Sequence, residues 1–238
     1  MGAAVGLLST LAVAAAGCIG CASTITPGGM SVAQHEAVAK ADDAAANAKL
    51  CAATPDAANN GPCWGAQTEE TKFEVAELRH RAAEHRNAAA VLKAEEAACD
   101  GVSEADRVQS PFSHHEDIVS VQPLIERRPD GETRQAGAVI EFRKVPRLTT
   151  ENFQKILDCH LARDEAFGFD ARELEYCPLN VNPLGFQQLN ATVVERPNCF
   201  VVKLDTQNEE VAKEVLTRAQ RLVGAARCLT TPMVNEST

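Results

Sequence analysis

The residues with chemistry to offer are nine cysteines and six histidines in a chain of 238 residues. Cys159 and His160 are adjacent and follow Asp158, the composition of a hydrolytic or thiol centre with its base and acid. Their spacing opposes that use, because helix neighbours one residue apart do not face each other. Phe153, Ile156, Leu157 and Leu161 form an apolar stripe that takes in His160, and Cys159 points away from it. His160 is therefore expected as a core histidine bonded to backbone. Cys159 is expected to reach the returning loop as a disulfide to Cys177. A second group is His35, His80 and His85, whose types suit Zn or Cu when two helices face each other. Arg79, Arg81 and Arg86 flank two of them, which reads more simply as a solvated face. His114 and His115 precede acidic residues in a loop and read as solvated or capping groups.

Residues 1–34 contain no charged side chain, and Leu7 to Gly17 is an apolar run ending in small residues before Cys18. Such a run is too short for a membrane span and reads as a signal peptide. Ala15-Ala16-Gly17-Cys18 resembles a bacterial lipoprotein cleavage box, so Cys18 is expected to bear lipid. Ordinary cleaved secretion is the alternative. Removing Cys18 leaves Cys21, Cys51, Cys63, Cys99, Cys159, Cys177, Cys199 and Cys228, an even set suited to disulfides in an oxidising compartment.

The elements that must position these residues fall into two parts. Ala37, Ala41, Ala44, Ala48 and Cys51 recur at helical spacing, and so do Val75, Leu78, Ala82, His85, Ala89, Leu92, Glu96 and Cys99. Joined by one loop, the two stretches predict an antiparallel helical hairpin with close backbones. Pairing about its loop puts His35 near His85, with His80 about a turn away. The same register suggests bridges Cys51–Cys63 and Cys21–Cys99 at the two ends. Beyond a Ser110–Glu116 linker, strands over Ile118–Ile125 and Ala136–Val145 precede a helix opened by Thr149 and Thr150. A second strand pair then leads through Thr206-Gln207-Asn208-Glu209, read as a capping box, into a last helix. The order ββαββα predicts a largely antiparallel sheet with two helices on one face. Its last strand and helix suggest a bridge Cys199–Cys228. The fold class is thus α+β. The expected divisions are a signal over 1–17, a lipidated tether over 18–30, the hairpin over 31–99, a linker over 100–116, the α+β domain over 117–228 and a disordered tail over 229–238.

Net charge is −10 and evenly spread, so no basic stripe for phosphates stands out, and aromatics are only 4%. Nucleic acid is not an expected partner. No GxSxG, HExxH, phosphate loop or dinucleotide fingerprint is present. The segments Pro62-Cys63-Trp64, Ser110-Pro111-Phe112-Ser113-His114, Asp158-Cys159-His160-Leu161-Ala162-Arg163 and Tyr176-Cys177-Pro178-Leu179 resemble a group of uncharacterised exported bacterial lipoproteins over most of the mature chain. That resemblance implies export and lipidation, and no activity. The expectation is a non-enzymatic envelope lipoprotein, a binding or structural module anchored to the membrane, with an envelope protein as partner. The alternatives are a Cu- or Zn-binding protein using His35, His80 and His85, and a Cys/His enzyme.

Overall fold

The computed structural model describes residues 25–52, 68–168, 177–181 and 189–229, with side chains as far as residue 223. The expected signal peptide, Cys18, Cys21, Cys63 and all of the expected 229–238 tail but Leu229, which ends a helix, lie outside these residues, and Cys228 lies beyond the described side chains.

Helices α1 (Val32–Ala52) and α2 (Glu69–Ala98) form the antiparallel hairpin. Thr68 caps α2 by accepting from the Thr71 amide, with Glu69 and Glu70 in the first turn where the helix dipole favours acids. Ala39 and Ala46 of α1 and Ala82, Ala88 and Ala89 of α2 are all nearly or fully buried, small side chains that suit a close approach of two backbones. The expected α2 seam is largely the observed one, except that Glu95 rather than Glu96 is buried. The α1 seam differs. It runs through His35, Ala39, Asp42 and Ala46, while Ala37, Ala41, Ala44 and Ala48 are exposed. Alanine occurs all round α1 and fits several stripes at once. The true face is marked by two polar residues with partners on α2, Asp42 with Arg81 and His35 with His85.

The remainder is a four-stranded antiparallel sheet, ordered β1-β2-β4-β3, from β1 (Ile118–Arg127), β2 (Thr133–Arg143), β3 (Leu189–Arg196) and β4 (Cys199–Thr206). Helix α3 (Glu104–Val108) precedes it, α4 (Thr150–Phe167) separates the strand pairs and α5 (Glu209–Leu229) closes the chain. The α+β class and the ββαββα order are as the sequence predicts. Ile140, Val193, Val202 and Leu204 alternate onto one sheet face and pack with Phe153 and Leu157 of α4 and with Val211, Val215, Ala219 and Leu222 of α5. Phe112, from the segment read as linker, is fully buried in this core. Thr149 caps α4 through the Asn152 amide. At α5 the cap is Asn208, whose Oδ1 accepts from the Glu210 and Val211 amides, rather than Thr206. Gly137 has φ +154°, and a Cβ there would stand 1.9 Å from the Leu204 carbonyl oxygen. No helix among the described residues is long and apolar enough to cross a membrane.

Cys99 is bonded to Cys159, which replaces the expected Cys21–Cys99 and Cys159–Cys177 bridges. The reason lies in the rotation of α4. Phe153 and Leu157 face the sheet, and Cys159 faces the other way, onto the end of α2, with Val102 and Ile156 around the bond. Cys177 belongs to the sheet-side core, where its Sγ lies 3.4 Å from Ser110 Oγ. Cys199 is a free thiol, which overturns its expected bridge to Cys228. Strand alternation explains this: Phe200, Val202 and Leu204 face α5, so Cys199 faces the opposite side. Cys51 is also in a disulfide.

Candidate functional site

His35 and His85 meet inside the hairpin, Nδ1 to Nδ1 at 2.8 Å, both nearly or fully buried. His35 Nε2 lies 3.0 Å from the Pro27 carbonyl oxygen. That oxygen only accepts, so His35 holds its proton on Nε2 and its Nδ1 is bare when neutral. His85 Nδ1 then donates across the pair. Burial, followed by the facing His35 imidazole, holds His85 below the ordinary imidazole range. One added proton is accommodated on His85 Nε2 with the Nδ1–Nδ1 bond kept, whereas two would set N–H against N–H.

As a metal centre the arrangement is incomplete. Two imidazole nitrogens on one tetrahedral zinc stand roughly 3.3 Å apart at ordinary bond lengths, and here a hydrogen bond fills the shorter gap. His80 does not join them: its side chain is 76% exposed and faces Glu84. Among the described residues no three His, Cys, Asp or Glu side chains gather as a metal set.

The Cys159–His160 pair is likewise committed elsewhere. The Cys159 sulfur is in the disulfide and offers no thiolate. His160 is buried and its Nε2 lies 2.8 Å from the Asp106 carbonyl oxygen, to which it donates. The expected core histidine bonded to backbone is what the structure contains. His114 faces Glu116, and His115 bonds the Ser113 carbonyl.

What the sequence reading missed is a cleft of about 500 Å³ between the 101–117 segment and the connection from β2 to α4. One wall is fixed from behind. The Cys99–Cys159 bond anchors its start, Arg107 donates to the Cys99 and Val102 carbonyls, and His160 holds Asp106. The other wall is tied by Glu195, which accepts from Lys144 and Thr150. Those two bonds, that from Lys144 foremost, hold Glu195 below the usual carboxylate range. The floor is apolar: Val102, Phe142, Phe153 and Ile156, with Leu148 at its edge. Arg143, Arg147 and Lys155 stand on the rim, exposed to solvent. None of the three has an ion-pair partner among the described residues, although neighbouring Lys144 is paired. Arg147 has φ +71°, a left-handed turn conformation uncommon outside glycine. The one sequence signal for this place is the basic run Arg143-Lys144-Val145-Pro146-Arg147, diluted by the even charge of the whole chain.

Compared with known proteins, the chain matches no family model, no curated relative and no solved structure.

Proposed function

We propose that the protein is a non-enzymatic binding module of an oxidising cell-envelope compartment, anchored to a membrane through a lipid on Cys18, with the cleft as its ligand site. The observation that carries this reading is the cleft itself: an apolar floor of ligand-site size between two walls that are each pinned by buried or charge-assisted bonds. A disulfide joining helices 60 residues apart in sequence supports the oxidising location. The commitment of Cys159 and His160 to structural bonds favours binding over thiol catalysis. An envelope protein partner and the likeness to exported lipoproteins belong to the same reading.

Two measurements test it. Intact mass of protein isolated from its native host without reduction should show a mature chain beginning at an acylated Cys18; an unprocessed, unacylated chain overturns the anchoring. Amide shift mapping of the oxidised protein against a fragment set of carboxylates, amines and neutral aromatics should give changes clustered on residues 101–117 and 142–156. Changes scattered over the surface, or none, overturn the binding-module reading.

A further inference from the structure

We infer that the cleft is built for a small amphipathic monoanion, an apolar chain or ring ending in one carboxylate-type group; this deepens the binding-module reading and rests on it. The floor sets the apolar half. Val102, Phe142 and Phe153 are already buried and present packed hydrocarbon, so a ligand chain laid on them removes its own apolar surface from water. The rim sets the charged half. In a chain of net charge −10, three cations without ion-pair partners among the described residues line one opening. An isolated surface cation needs no explanation, but three converging on a concavity focus a positive field there.

The acids on the same rim limit the ligand's charge. Asp106 and Asp117 line the cleft with the three cations. Asp106 Oδ2 accepts from Ser103 Oγ, and the Asp106 amide donates back to that same oxygen. The balance therefore favours a single negative charge over a phosphomonoester or a polyanion. Ser113 also lines the cleft, and its hydroxyl, which accepts from Gln109 Nε2, keeps a neutral donor for a carboxylate.

The test uses the full, oxidised chain and titration calorimetry with decanoate, decanol, decyltrimethylammonium and inorganic phosphate, beside vesicles of phosphatidylglycerol. Decanoate is expected to bind at least tenfold more tightly than each of the other three small probes, and more weakly as salt screens the rim. The variant Arg143→Gln, Arg147→Asn, Lys155→Gln should weaken decanoate about tenfold, the combined effect of three exposed charge contacts. Asparagine is chosen at Arg147 because it tolerates the left-handed backbone. Val145→Trp, at an exposed position on the lining, should block decanoate by filling the cleft. Equal binding of decanol or of the cationic amphiphile overturns the anion assignment and leaves the binding-module reading standing. Tight phosphate binding, or binding to vesicles with none to free decanoate, overturns it as well. If none of the four small probes binds, the proposal falls, and the shift mapping then decides whether the module reading falls with it.

Discussion

At the scale of single residues, the polar groups are the informative ones. His85 gives a pH signature whose sign follows from its environment. Its folded pKa is depressed, so as pH falls the unfolded chain takes up a proton near the ordinary imidazole value of about 6.5 before the folded chain does. Stability from this source is intact above that value and is lost as pH drops below it, by at most about 1.4 kcal/mol per pH unit. Asp42 and Glu84 oppose the depression, and Arg81 adds to it. Urea denaturation at pH 7.5 and 5.5 should show the loss, and His85→Gln should flatten that part of the profile. Gly137 provides a second prediction. Its positive φ and the 1.9 Å approach to the Leu204 carbonyl leave no room for a methyl group. Gly137→Ala should cost on the order of 3 kcal/mol in denaturant midpoint measurements, whereas Gly131→Ala, with open space around it, should cost only its turn strain. The role of His160 was legible in the sequence because the stripe through Phe153 and Leu157 places it. The partner of Cys159 was not, because a helix fixes which way a side chain points and says nothing of which distant segment arrives there.

At the scale of elements, α4 is the piece on which both parts of the molecule depend. One face joins the sheet core, and the opposite face takes the end of α2 through the disulfide. A loop of about 60 residues closed by such a bond implies roughly 4 kcal/mol by chain-entropy reasoning. The Cys99→Ala, Cys159→Ala double variant should lose about that much in thermal or chemical denaturation. Strands and caps were readable because alternation and capping residues are local codes. Thr68, Thr149 and the two strand pairs stand where the sequence put them. The face of α1 was not readable, since alanine carries no periodic contrast. The cleft was invisible for a different reason: its floor comes from β2 and α4 and one wall from a segment that looked like a linker.

At the scale of the whole molecule, the hairpin and the sheet domain are coupled through few connections. Among the described residues they include the disulfide with Ile156 packed beside it, the Glu95–Arg163 ion pair and the seating of the Pro27–Gly29 turn against Phe167. Oxidised protein is expected to unfold in one transition by both far-ultraviolet circular dichroism and hydrogen exchange. After reduction, amides of α1 and α2 should lose protection before those of β2 and β4, because an alanine seam buries little apolar area. Equal protection of both parts in reduced protein would contradict this division.

The bond between His35 and the Pro27 carbonyl has a mechanical consequence. Gly28 beside it has no space for a side chain against Phe167, so the turn is held at two points at once. Tension applied to the polypeptide upstream of Thr26 would enter the body at this turn and run first into the imidazole pair and the end of α4. The sheet would feel it last. A protein pulled by its leading segment in an optical trap should therefore yield at the helices while the strands still hold.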